Sequence, residues 1–212
     1  MYYKHMTAMP QLSEELTQEC LREAVQIFET QKENRVLYHR RFETENKDTI
    51  NYMENEDVSF YEQSGGVSAM AMSPELEQKV SNYFKEKNHA ITNVFEYYGF
   101  LFVEGGPYCA PHLDDVERRR NGFQYLLKSG GKDTKTVWYE PKEEFKDLSI
   151  IDYCGIPYSK INPQAEASLG ENNWYWMSFD SIHSVENLES MRIFLVGGIA
   201  GVGDMRYLLD NQ

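Results

Sequence analysis

The sequence predicts a mainly β fold in which helices from the N-terminal third pack on a sheet sandwich or barrel. Three observations carry this. Before residue 91 there are two stretches with apolar residues at helical spacing, each with its own start signal. After it come short runs of β-branched and aromatic residues, divided by Gly, Pro, Asn and Asp clusters. Helices first and strands after give helices laid on a sheet. No repeat, low-complexity tract or linker interrupts the 212 residues. One domain, 1–212, is therefore expected, with 1–90 as helical support and flanking strands and 91–212 as the core.

Each element has a local cause. Residues 1–12, with Met9-Pro10-Gln11, form an irregular lead-in. Ser13 is an N-cap, Glu14 and Glu15 suit the positive end of a helix, and Leu16, Cys20, Leu21, Ala24, Ile27 and Phe28 recur at helical spacing through about Thr30. Val36-Leu37-Tyr38 and Val58-Ser59-Phe60-Tyr61 are candidate strands, and Ser64-Gly65-Gly66 is a turn. Ser73-Pro74-Glu75 opens a second helix, buried through Leu76, Val80, Tyr83 and Phe84 and ending near Asn88. Strands are expected over 91–103 with a break at Gly99, then at 123–127, 136–139, 174–179 and 192–196. The span 142–173, carrying Tyr153, Ile156 and Tyr158, is long and weakly patterned, which suits a covering loop or lid.

Composition narrows the function. The net charge is −13, which argues against the backbone-driven binding of a nucleic-acid protein. Arg118-Arg119-Arg120 is a local exception that reads first as a solvated loop. The three cysteines, Cys20, Cys109 and Cys154, form no CxxC pair and no disulfide framework. Their sparse use fits a reducing compartment. Neither a signal peptide nor a membrane span is legible, so a cytoplasmic location is the expectation.

One constellation carries chemistry. In Pro111-His112-Leu113-Asp114, extended chain would place His112 and Asp114 on one face. A second histidine, His183, lies in Phe179-Asp180-Ser181-Ile182-His183, and nine residues beyond it Arg192 opens the run Ile193-Phe194-Leu195-Val196. Two imidazoles and one carboxylate suit a divalent transition metal and leave positions open for other ligands. A guanidinium is a rigid fork of donors that matches a carboxylate. Taken singly these residues read as a chance motif, a structural histidine and a surface charge; their joint order is what points to a metal site. His5, His39 and His89 have no such company.

His112, Asp114, His183 and Arg192 match the pattern of the 2-oxoglutarate- and Fe(II)-dependent dioxygenases, which the sequence resembles over about 94–199 in the prolyl-hydroxylase-like branch. The resemblance implies a double-stranded β-helix, a jelly-roll core of two facing sheets. It also implies Fe(II) held by His112, Asp114 and His183, and 2-oxoglutarate and O2 as co-substrates, with Arg192 gripping the distal carboxylate. By position in the family, Tyr125, and less directly Tyr108, would contact that carboxylate. The activity implied is hydroxylation of a C–H bond in an amino-acid, peptidyl or other small-molecule substrate, with release of succinate and CO2. Trp138, Trp174 and Trp176 are candidates for the pocket wall. The sequence departs from the family where many members have Ser or Thr, placing Phe194 there, and echoes a Gly-Gly-acidic stretch only loosely at Gly130-Gly131-Lys132. Two other readings keep the fold: a cupin-like isomerase, hydrolase or lyase, and a non-catalytic binding or structural jelly roll.

Overall fold

In a computed structural model of the chain, the strands form two facing sheets. The structure describes residues 1–30, 36–39, 65–104, 106–114, 120–145, 156 and 158–211. The strands are β1 (Tyr3–His5), β2 (Val36–His39), β3 (Gly66–Ala71), β4 (Tyr97–Glu104), β5 (Cys109–His112), β6 (Asn121–Lys128), β7 (Lys135–Pro141), β8 (Ile161–Ala167), β9 (Trp174–Ser178), β10 (Ile182–Glu186) and β11 (Arg192–Gly198). Among the described residues two α-helices accompany them, α1 (Glu14–Thr30) and α2 (Pro74–Lys87). The larger sheet has the order β1-β9-β6-β11-β4-β3-β2 and the smaller β5-β10-β7-β8. From β4 to β11 the chain crosses between them, and the pairings are antiparallel. This is the jelly-roll core expected from the sequence.

The pleat sorts side chains into two layers. Along β11, Ile193 and Leu195 face α1 and α2, whereas Phe194 and Val196 face the opposite sheet. On the helix side, Leu16, Cys20, Ala24 and Phe28 of α1 and Leu76, Val80 and Phe84 of α2 pack on Phe100, Phe102, Phe123, Trp174 and Trp176. Between the sheets lie Leu101, Leu126, Trp138, Tyr175, Met177 and Phe194. Full burial of each such side chain is worth roughly 1.5–3 kcal/mol. The helices thus hold one wall of the sandwich rigid from behind.

Both helices start where their caps predict. Ser13 Oγ accepts from the Leu16 N–H at 3.3 Å, and Ser73 Oγ accepts from the Leu76 N–H at 3.3 Å. Ser73 Oγ also donates to Glu23 Oε2 of α1 at 2.7 Å, tying the helices together. Asn88 closes α2 in the left-handed region, φ 52°.

Several elements differ from the sequence expectation. The lead-in contains β1, which pairs with β9 and stacks Tyr3 on Trp138 of the other sheet, with centroids 5.2 Å apart and planes at 6°. β3 was not expected, and it begins at Gly66, the last residue of the predicted turn. Gly99 does not break β4, because it is paired on both sides, with Ala71 and Val196. Part of the covering span is sheet: β8 pairs along β7 as the edge strand of the smaller sheet. Its Pro163 and its exposed residues suit an edge, where the ladder asks less of each residue. The expected strand at 58–61, Arg118, Arg119, Tyr153 and Cys154 lie outside the described residues.

Candidate metal centre

The centre is assembled by antiparallel pairing. His112 is the last residue of β5 and His183 the second of β10, and the register sets His183 opposite His112 on one side and Trp138 on the other. Asp114 lies just past the end of β5. His112 and Asp114 nevertheless converge on one centre, as their spacing in the sequence suggests. The ligand atoms of His112, Asp114 and His183 all lie within 4.8 Å of one another. His112 Nε2 is 3.7 Å from Asp114 Oδ1, and the two imidazole centroids are 4.4 Å apart.

The backbone fixes which nitrogen each ring presents. His112 Nδ1 is 2.7 Å from the Ala110 carbonyl oxygen, and His183 Nδ1 is 2.9 Å from that of Ser181. A carbonyl can only accept, so each Nδ1 carries the proton and each Nε2 keeps its lone pair. Rings oriented in this way are typical of metal-ligating histidines. Both are buried, while Asp114 retains partial exposure. The donor set, two imidazole nitrogens and one carboxylate, fits a divalent iron, which would keep open positions.

Arg192 enters the same inter-sheet space from the first position of β11. It is 0% exposed, and burial lowers its pKa to about 10. Nη1 donates to Thr136 Oγ1 of β7 at 3.1 Å, and the guanidinium lies 4.9 Å from the ring centroid of Phe194. Nε and Nη2 have no partner among the described residues. Thr136 pairs with Val185, two residues along from the His183–Trp138 pair, a displacement of about 7 Å along the strand. A buried cation with two open donors, one short step from three metal ligands, fits the far carboxylate of a dicarboxylate bound at the metal.

The other expected residues divide. Tyr125 does not join the site: it faces the helices, packs against Trp174 and accepts from the Leu12 N–H at 3.2 Å. Odd-numbered β6 positions from Phe123 to Leu127 point to the helix layer, and this turns Tyr125 away from the inter-sheet space. Tyr108 lines a cavity of about 670 Å³ with Asp133, Tyr158, Glu186 and Glu189, whose walls include neither the histidines nor Arg192. Trp138 lies in the inter-sheet layer, but Trp174 and Trp176 lie on the helix side. Ile156, from the covering span, donates its N–H to the Pro111 carbonyl at 2.5 Å and so backs the metal strand. Tyr158 is tied to β10, donating to Glu186 Oε1 at 3.1 Å beside Tyr139 at 2.6 Å.

Sequence reasoning missed Thr136 and Gln124. Each is a polar residue on the inward face of a buried strand, and that alternation was the available signal.

No protein-family model matches the chain, and no curated protein does. Solved structures do. The non-heme alpha ketoglutarate dependent carbocyclase SnoK, from nogalamycin biosynthesis, aligns with a TM-score of 0.53 at 14% identity, over 99% of this chain and 86% of SnoK. The chain shares its fold with this enzyme. The epimerase SnoN from the same biosynthesis gives 0.51 at 10% identity, over 92% of this chain and 76% of its own. A Pseudomonas putida prolyl-4-hydroxylase gives 0.47 at 13% identity, over 92% and 90%. Within this fold the chain's own residues bring together a His-Asp-His set and a buried arginine. No helix among the described residues is long and apolar enough to cross a membrane.

Proposed function

We propose that the protein is an Fe(II)- and 2-oxoglutarate-dependent dioxygenase that hydroxylates a C–H bond of an amino-acid, peptidyl or other small-molecule substrate. One observation carries the reading: three metal-ligand atoms within 4.8 Å share the inter-sheet space with a fully buried arginine whose Nε and Nη2 are open. His112, Asp114 and His183 would hold the iron, and Arg192 the distal carboxylate of 2-oxoglutarate. Bound together, iron and 2-oxoglutarate supply an oxidant from dioxygen, with release of succinate and CO2.

The remaining work falls to the chain. Ala110 and Ser181 hold the ring protons on Nδ1, which leaves Nε2 of each histidine as the ligating nitrogen. Thr136 and Phe194 fix the guanidinium plane. The inter-sheet layer around Trp138, Leu126 and Phe194 excludes water, which strengthens the charge pairing at Arg192. A cytoplasmic setting is part of the reading, supported by the buried free thiols of Cys20 and Cys109. A second outcome, oxidation ending in ring closure or epimerisation rather than hydroxylation, is favoured by the names of SnoK and SnoN.

Turnover tests the proposal. Iron-loaded protein incubated in air with 2-oxoglutarate and pools of peptides or metabolites should release succinate above the substrate-free rate in at least one pool. The active pool should then show a product heavier by one oxygen for hydroxylation, or lighter by two hydrogens for ring closure. Metal-replete protein that never consumes 2-oxoglutarate would contradict the proposal.

A further inference from the structure

Buried side-chain polar atoms without a partner occur on three of the described residues: Ser68 through Oγ, Gln124 through Nε2, and Arg192 through Nε and Nη2. Ser68 pairs with Phe102, whose ring packs under the helices, so it belongs to the outer layer. Gln124 belongs to the inner one. It is 1% exposed and pairs with Tyr175 of β9 and Val196 of β11, both of which pack between the sheets. Directly opposed residues on neighbouring strands share a face, so the Gln124 amide enters the slot that holds Arg192.

Register also gives its place along the slot. At one end of β6, Lys128 pairs with Ile193, the neighbour of Arg192. At the other end Asn121 pairs with Ser178, and the next residue, Phe179, has its ring centroid 5.7 Å from that of His183. Gln124 therefore stands between the guanidinium and the histidines. A buried amide donor left unpaired is costly in the folded chain, and a ligand spanning from Arg192 to the metal would pass it.

We infer that Gln124 is a further positioning residue for the co-substrate, donating its amide N–H to an oxygen at the keto-acid end of the dicarboxylate whose far end Arg192 holds. The inference rests on the co-substrate reading proposed above. It assigns Gln124 the orientation of the reactive end, a task distinct from the anchoring done by Arg192.

The test uses the full chain and two variants, Gln124→Met, which keeps length and removes the donor, and Gln124→Glu, which sets a carboxylate against a carboxylate. Melting temperature is measured without ligand, Mn(II) affinity by titration, and 2-oxoglutarate affinity by calorimetry on the Mn(II)-loaded protein. Gln124→Met should melt higher than wild type, bind Mn(II) equally, and bind 2-oxoglutarate about tenfold more weakly or worse. Gln124→Glu should be weaker still. Wild-type 2-oxoglutarate affinity in Gln124→Met overturns the inference. So does a lower melting temperature of that variant, because the amide would then have a partner within the protein. If wild type takes up Mn(II) but no 2-oxoglutarate, the proposed function fails and this inference with it, and the two failures are told apart because that null precedes any substitution.

Discussion

Replacing Arg192 by methionine should stabilise the ligand-free protein while nearly abolishing its hold on 2-oxoglutarate. Burial lowers the guanidinium to about 10, and at about 1.4 kcal/mol per tenfold this penalises the charged form by about 3 kcal/mol. The arginine is protonated in both folded and unfolded chains at every pH below its folded value, so the penalty is fully present at neutral pH. It is relieved only as pH rises through about 10 towards the ordinary arginine range. Methionine keeps an unbranched chain over Phe194 and removes the charge. It also strips Thr136 Oγ1 of its 3.1 Å partner, which costs about 1 kcal/mol. The balance is a gain of about 2 kcal/mol, or about 4–8 °C in melting temperature for a chain of this size. The same change deletes a buried charge pair with the bound carboxylate and should weaken 2-oxoglutarate by about 2–5 kcal/mol, some 30-fold to several thousandfold. Calorimetric melting of the apo protein and anaerobic titration of the metal-loaded one read the two effects. An apo protein destabilised by Arg192→Met, or one that binds 2-oxoglutarate as wild type does, would refute the reasoning.

Other substitutions probe separate parts of the account. Asp114→Ala should reduce Fe(II) affinity at least about 100-fold, read by anaerobic titration, with an unchanged far-UV circular dichroism spectrum. Tyr125→Phe should leave 2-oxoglutarate affinity unchanged and cost about 1 kcal/mol in urea denaturation, because its hydroxyl bonds with the Leu12 N–H and the Thr17 side chain on the helix side of the sheet. Asn121→Leu should cost about 2–4 kcal/mol in the same assay, since Asn121 Oδ1 accepts from both Trp176 Nε1 (3.2 Å) and the Met205 N–H (2.9 Å) in a buried setting. Arg206 holds the Asp204 carboxyl well below the usual carboxylate range. Because that folded value is depressed, the stability it confers is present above the unfolded carboxylate range and is lost as pH falls through the folded value. Arg206→Ala should therefore lower stability near neutrality and flatten its acid dependence, as measured by melting between pH 2 and 7 (about 0–1 kcal/mol for an exposed pair).

The sequence was most informative where one local rule decided the outcome. Ser13 and Ser73 cap helices because a hydroxyl before an apolar-periodic run has a free N–H to accept, and both do so. β7, β9 and β11 were legible because β-branched and aromatic residues dominate them. His112, Asp114 and His183 come within 4.8 Å although His183 is far away in sequence; resemblance to a known pattern, not periodicity, allowed that expectation. β1, β3 and β8 were illegible because their composition is ordinary and pairing with β9, β4 and β7 makes them strands. Tyr125 illustrates the remaining limit. A shift of one residue along a strand exchanges the two faces, and the run Phe123-Gln124-Tyr125-Leu126-Leu127 is apolar enough on both sides to hide which face is which. The structure turns Tyr125 to the helices and gives the slot to Gln124 and Leu126.

The central claim is that one site binds Fe(II) and 2-oxoglutarate together. Anaerobic protein given Fe(II) and then 2-oxoglutarate should develop the visible metal-to-ligand charge-transfer band of a chelated 2-oxo acid. The band should be absent in Asp114→Ala and should need far higher 2-oxoglutarate in Arg192→Met. Metal-replete wild-type protein that stays colourless at saturating 2-oxoglutarate would contradict the account.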